Sequence, residues 1–360
     1  MDRIDAIVLF SGGLDSILTA RLLADQGLRV LCLHMTSPFF GNASQIPFWE
    51  RAYGLTITQH DLGEAFVELL RKPAHGFGKT LNPCVDCKIL LLKEAKQVML
   101  AHGAKILATG EVIGQRPMSQ RRDVLNTISR EADVKDCLLR PLSALHLDIT
   151  PMEEAGLVDR QQLLGIQGRG RQEQLSLAKE RFHLSHIPSP NGGCKLTESE
   201  NARRYWMVLE HCPKACAKDF DLANTGRQFW LSWEKSFYWL SMGRNSRDND
   251  CLRALCSEED ALITFPGIPA PVALARFGSQ WPDEVIKLAG QTTLSYAIKA
   301  LSMSSQASMQ IKACGRSRSF VVEAERQSGF ALPAWETIHS CLKDRRRQEL
   351  AQNNDTTRAS

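Results

Sequence analysis

The chain lacks any apolar run long enough to cross a bilayer as a helix; its longest hydrophobic stretches are strand-length. Met1-Asp2-Arg3 leads straight into the first apolar run, so no signal peptide is expected and a cytoplasmic location is predicted. No internal repeat recurs. Charge of one sign is in small excess, +4 at neutral pH, which excludes a uniformly basic protein. The cations are nonetheless grouped: Arg116, Arg121, Arg122 and Arg130; Arg169 and Arg171; Arg203 and Arg204; Lys343, Arg345, Arg346 and Arg347. Such patches suit a polyanion, although each alone is commonly a solvated face. With no export signal, the 11 cysteines are expected to stay reduced, which argues against a disulfide scaffold and raises ligation or catalysis instead.

What is present begins with Phe10-Ser11-Gly12-Gly13-Leu14-Asp15-Ser16, between an apolar run and an amphipathic segment. Two glycines after a buried strand let the backbone turn with positive φ and point its N-H groups into one anion site. The N-terminus of the following helix adds its positive end there. Ser11 and Ser16 are expected to add hydroxyl donors, and Asp15 is useful beside phosphates only with a divalent cation between, which implies magnesium. No lysine follows the glycines, so the G-x-x-x-x-G-K-[ST] loop is excluded. The order S-G-G-x-D-S resembles instead the signature of the PP-loop ATP pyrophosphatase superfamily. That resemblance implies a protein that binds ATP, adenylates a substrate oxygen and releases pyrophosphate.

With 360 residues, 43% hydrophobic and 23% charged, the chain can build two domains with real cores. Strand-type runs at 6–10, 29–35, 55–59, 105–109 and 137–140 alternate with helical patterns at 16–26, 66–71, 85–101 and 121–129. This predicts an α/β fold with a doubly wound parallel sheet over residues 1–205. Ligands of such sheets bind beyond the carboxyl ends of the strands, so segments 11–16, 34–38 and 109–120 should converge. Met35, Gly110 and Gln115 thereby join the candidate nucleotide site. A polar helical stretch is expected at 159–181, then a break at Pro188-Ser189-Pro190-Asn191-Gly192-Gly193-Cys194. A second, smaller α+β domain is expected over 218–345, with short strands at 237–240, 261–265, 272–276 and 319–324 and one helix near 283–301. Residues 348–360 are expected to be disordered. Trp230, Trp233, Tyr238 and Trp239 are expected to pack rather than to stack on bases.

Asn82-Pro83-Cys84-Val85-Asp86-Cys87 puts a C-x-x-C where a proline-broken loop enters a helix, and Cys194 follows glycines that let it fold back. Three thiols so placed suit a metal site or a redox pair. Structural zinc normally takes four ligands, and no fourth Cys or His accompanies these three. A 4Fe-4S cluster on three cysteines keeps one iron open for another ligand, such as sulfide. Cys212 and Cys216 have a spacing that fits one helix face without an evident partner, and the remaining cysteines read as structural.

Taken with the loop, these residues resemble the tRNA-thiolating branch of the PP-loop superfamily. Thr109-Gly110-Glu111-Val112-Ile113-Gly114-Gln115, Ser119-Gln120, Leu125-Asn126 and Leu139-Arg140-Pro141-Leu142 are similar to the post-strand block of tRNA 4-thiouridine synthetases. Asn82-Pro83-x-x-x-Cys87 and Gly193-Cys194 resemble the two cysteine motifs of tRNA 2-thiouridine synthetases, whose cysteines transfer sulfur or, on another view, ligate an Fe-S cluster. Cys84 stands where those relatives usually carry aspartate, which favours the cluster. Gly168-Arg169-x-Arg171 and Gly243-Arg244-Asn245 resemble a group of single-chain PP-loop proteins whose C-terminal portion is similar to the RNA-binding domain of NFACT proteins. The resemblance implies ATP-dependent tRNA thiolation, with Asp15, Cys84, Cys87 and Cys194 catalytic and ATP, Mg2+ and a 4Fe-4S cluster as cofactors. It also implies a sulfide or persulfide donor protein, because the rhodanese-like segment of 4-thiouridine synthetases has no counterpart here. Arg116, Arg121, Arg122, Arg169 and Arg171 would contact the tRNA. Two other classes stay open: a PP-loop ligase acting on a small carboxylate or cofactor precursor, and a non-catalytic RNA-binding protein with a vestigial ATP site and zinc.

Overall fold

In the computed structural model, which describes residues 3–189, 193–298, 302 and 304–344, the apolar runs of the N-terminal half form one parallel sheet. Its strands are β1 (Ala6–Leu9), β2 (Val30–Thr36), β3 (Thr56–Asp61), β4 (Ile106–Thr109) and β5 (Leu138–Leu139), in the order β3-β2-β1-β4-β5. Every pairing is parallel. Ala6 and Val8 pack with Ile17, Ala20 and Leu23 of α1 (Leu14–Asp25), while Ile7 between them is equally buried. Since alternate side chains leave opposite faces, β1 is covered on both, as expected of a doubly wound sheet. The chain departs from β1 toward β2 on one side and β4 on the other, so the crevice opens at the carboxyl end of β1.

The helices that follow are α2 (Ile46–Tyr53), α3 (Gly63–Arg71), α4 (Cys84–Ala101), α5 (Arg122–Glu131), the single turn α6 (Pro151–Glu154) and α7 (Gln172–Ser176). Helix α2 was not expected. Its signals are local: Pro47 within the first turn and Gly54 at the C-cap with φ +61. The polar stretch 159–181 is not one helix. It breaks into the 3-10 turn Arg160–Gln162, an extended segment, α7 and a π-helical turn, Leu177–Arg181. Ile166, Ala178 and Phe182 hold this region against Leu14, Leu18 and Leu22 of α1.

The chain divides into two units, Met1–Thr197 and Glu198–Ser360. In the second unit, β6 (Arg227–Trp233), β7 (Ser236–Met242), β8 (Ala261–Thr264), β9 (Ala273–Ala275), β10 (Gln306–Ala313) and β11 (Arg316–Glu323) form an antiparallel sheet ordered β11-β10-β8-β9-β7-β6. Among the described residues more than the one expected helix accompanies it: α8 (Ser199–His211), α9 (Ala217–Asn224), α10 (Ser246–Leu255) and α11 (Asp283–Ser295), and residues 335–344 are helical as well. Its core joins Val285, Ile286 and Ala289 of α11 to Ile263, Met309 and Val322 of the sheet. Trp230 and Trp239 stack in parallel and are buried, whereas Trp233 is exposed. Cys212 caps the end of α8 and Cys216 the start of α9, so the two do not share a helix face. No helix among the described residues is long and apolar enough to cross a membrane. Pro190, Asn191 and Gly192 of the expected break, Arg345, Arg346 and Arg347, and the tail 348–360 lie outside the described residues.

Candidate functional site

The loop after β1 turns on Gly12 alone. Gly12 has φ +78, and a Cβ there would meet Trp49 Cζ2 at 2.4 Å; Gly13 is extended and N-caps α1. The expectation of two left-handed glycines is therefore corrected, because Gly13 already has the extended conformation of a helix cap. The buried Ser16 hydroxyl donates to the Gly13 carbonyl at 2.7 Å and lies 3.3 Å from the Ser11 amide, which donates to it. Ser16 thus braces the loop with its hydroxyl proton, while Ser11 is exposed and accepts from the Gly13 amide at 3.3 Å. Behind the loop, His34 Nε2 accepts from the Asn42 amide at 3.0 Å, so its proton is on Nδ1 and donates to the Phe10 carbonyl at 2.9 Å. Burial accordingly holds the His34 pKa below the ordinary value.

The end of β4 packs directly on this loop. A Cβ on Gly110 would lie 2.6 Å from the Asp15 carbonyl carbon, so no other residue permits the approach. Gln115 then donates from Nε2 to Asp15 Oδ2 at 3.2 Å. Burial raises the Asp15 pKa, opposed by Gln115, Arg171, Arg116 and Gln174 in that order. Asp15 Oδ1 is buried without a hydrogen-bond partner. An orphaned carboxylate oxygen at a phosphate loop fits a magnesium-nucleotide. Met35 is buried in β2, two residues past the Leu9–Leu33 pairing, alongside the start of the loop.

Two bonds bring Cys194 back to the C-x-x-C across more than a hundred residues. Thr80 Oγ1 donates to the Leu196 carbonyl at 2.6 Å, and the Lys195 amide donates to the Phe39 carbonyl at 2.9 Å. Cys84 and Cys87 lie in the first turn of α4, and the Asn82 amide donates to Cys84 Sγ at 3.1 Å. Burial pushes the Cys87 thiol up to about 12, against the pull of Lys88 and reinforced by Cys194 and Cys84. Burial also raises Cys194, on which Cys84 and Arg116 act as well. The three thiols therefore share one neighbourhood. No group of three His, Cys, Asp or Glu side chains among the described residues is arranged to hold a single metal ion. A cluster makes a different demand, because each cysteine binds its own iron and the thiols stand farther apart; an all-thiol donor set fits it chemically.

Lys88, beside Cys87, lies 3.7 Å from Glu111 Oε1, and Arg140 Nε donates to Glu111 Oε2 at 3.0 Å. Burial works to raise the Glu111 carboxyl, but Lys88 and Arg140 hold it below the usual range. This buried network, absent from the expected site residues, ties α4 to the end of β4. Its sequence signal was the T-G-E and R-P-L blocks, read as motifs without their pairing. Of the expected RNA-contacting arginines, Arg121 pairs with Asp123, and Arg122 bonds the His146 carbonyl at 2.9 Å and stands 3.7 Å from Asp148. Arg169 is exposed, but Arg171 is half-buried, and its charge helps to hold the Asp15 pKa down against burial. A cavity of about 570 Å3 lined by Arg122, Arg130, Lys135, Arg140 and Glu153, among others, includes none of the loop or cysteine residues.

Residues 3–149 match the family model described as thiamine biosynthesis protein (ThiI). A probable tRNA sulfurtransferase of Methanosarcina mazei is 29% identical over 122 residues, covering 30% of this chain and 28% of the relative. One of Thermococcus kodakarensis is 26% identical over 147 residues, covering 39% and 37%. The chain thus spans well under half the length of the curated relatives it matches. Among solved structures, a predicted subunit of a tRNA methyltransferase from Methanocaldococcus jannaschii aligns with TM-score 0.31 at 19% identity, covering 49% of this chain and 76% of that one. The likeness to the ThiI model is thus confined to residues 3–149, under half of the chain, and that segment contains the S-G-G-x-D-S loop.

Proposed function

We propose that the chain is an ATP-dependent sulfurtransferase that thiolates a tRNA base. What supports this is that one segment touches both the loop and the cysteine turn: Gln115 Nε2 donates to Asp15 Oδ2 at 3.2 Å, and Met118 Sδ lies 4.0 Å from the Asn82 side-chain nitrogen that also donates to Cys84 Sγ. The acceptor class comes from the names of the relatives, which are probable tRNA sulfurtransferases.

In this scheme the 11–16 loop, through the amides not bonded within it, and the start of α1 would hold the ATP phosphates. Bound magnesium would neutralise charge on the departing pyrophosphate, with Asp15 as its protein oxygen. A base carbonyl oxygen attacks the α-phosphorus, the bond to the bridging oxygen breaks, and pyrophosphate leaves with the electron pair. Sulfide then attacks the activated carbon, the C-O bond breaks and AMP leaves. A 4Fe-4S cluster on Cys84, Cys87 and Cys194 would supply that sulfide in activated form, recharged by a separate sulfide donor or by a persulfide donor protein together with a two-electron thiol reductant. Arg116, Arg121, Arg122 and Arg169 would steer the RNA, with the second unit as a further RNA-binding surface.

Pyrophosphate release is measured with and without tRNA, in the native chain and in Asp15→Ala. The expected outcome is release stimulated by tRNA and reduced at least about 100-fold in the variant. Release indifferent to RNA would instead favour a small-molecule acceptor, and nucleotide binding without turnover would favour a non-catalytic RNA-binding protein.

A further inference from the structure

We infer that Gln174 and Arg171, on and just before the short helix α7, bind the phosphate chain of the nucleotide. This assignment rests on the PP-loop reading above and extends the site to a segment outside the family match. Among the described residues, ten buried side-chain atoms lack a hydrogen-bond partner, and four of them belong to Asp15, Arg171 and Gln174. Gln174 is fully buried, with both its amide oxygen and its amide nitrogen unpaired. Its amide lies close enough to act on the Asp15 carboxylate, yet meets no hydrogen-bond geometry with it.

A buried amide with neither end satisfied carries a desolvation cost that a well-packed interior rarely tolerates. Here the cost falls beside a carboxylate oxygen with the same defect, at the mouth of a phosphate loop. Phosphate oxygens would accept from Arg171 Nε and Gln174 Nε2, and the accompanying magnesium with its water would meet the lone pairs of Asp15 Oδ1 and Gln174 Oε1.

The fold holds the segment in place independently of any ligand. Ile113 and Gln167 form an isolated parallel bridge, and the Gly168 amide donates to the Ile113 carbonyl at 2.7 Å. This lays segment 166–171 along the stretch leading to Gln115, the other amide on Asp15. Charge points the same way, since Arg116 and Arg171 oppose a single carboxylate. Arg169, two residues earlier, is exposed and free to meet an RNA backbone; Arg171 turns inward with its Nε out of reach of solvent.

The test is calorimetric binding of Mg-ATP, AMP and pyrophosphate to the full native chain, Arg171→Ala and Gln174→Met, with a thermal melt of each free protein. Methionine keeps the volume and removes the amide, so Gln174→Met should melt no lower than the native chain while its ATP affinity falls at least about tenfold. Arg171→Ala should weaken ATP and pyrophosphate more than AMP. Native ATP affinity in both variants would overturn the assignment. So would a lower melting temperature with native affinity, which marks a packing role, or a loss in Arg171→Ala confined to tRNA binding, which marks an RNA contact. A native chain that binds no nucleotide would overturn the PP-loop reading itself, and this assignment with it.

Discussion

His34 connects the nucleotide loop to the chain behind it through two bonds that dictate its chemistry. The Asn42 amide can only donate, so Nε2 must stay unprotonated for the bond to the Phe10 carbonyl to coexist with it. A histidine whose folded pKa is depressed contributes stability above its unfolded value, about 6.5, and loses it as pH falls through the folded value. His75 has the opposite sign. Its bond to Asp86 raises its pKa, so its contribution is full below the unfolded value and lost as pH rises. Bulk unfolding therefore mixes the two, and nitrogen NMR of the His34 ring separates them. The expected result is an Nδ1-H tautomer titrating below the ordinary histidine range; a midpoint above it would contradict the assignment. Asp15, Gly110 and Gln115 were legible because each sits in a contiguous motif. Gln174 was not, because its place depends on a return of the chain along Ile113 that no local pattern encodes.

Among the elements, the two-bond strap at 194–196 decides whether the cysteines form a site. Thr80 Oγ1 bonds both the Leu196 carbonyl and Asn82, and Asn82 in turn donates to Cys84. Removing that hydroxyl in Thr80→Val leaves a buried carbonyl unpaired, at a cost of about 1–2 kcal/mol, and loosens Cys194 from α4. The readout is iron and acid-labile sulfide after anaerobic purification. The native chain should hold about four of each, Thr80→Val fewer and Cys194→Ala none. Zinc, or equal iron in all three, would refute the three-cysteine cluster. The C-x-x-C itself was readable from Pro83 and the helix after it. Helix α2 was overlooked although Trp49 on it forces Gly12 to be glycine, since it is only eight residues long and Pro47 and Gly54 read as breakers.

At the scale of the whole molecule, the parallel sheet was legible because buried strands alternate with helices at regular spacing, and their order follows from the switch at β1. The second unit was harder. Its strand β6 opens on the adjacent polar pair Arg227 and Gln228 and breaks strict alternation, and α9 and α10 are short and rich in charge, so tertiary pairing as well as pattern defines them. On the proposed function, having the loop and the thiols in one unit would let adenylation and sulfur delivery act on the same base without release. The most direct test is mass spectrometry of nucleosides from tRNA incubated with Mg-ATP, a sulfide source and the native chain, Asp15→Ala or Cys194→Ala. One uridine or cytidine oxygen replaced by sulfur with the native chain, and with neither variant, is the predicted result. ATP cleaved to AMP and pyrophosphate while every nucleoside stays unmodified would contradict it.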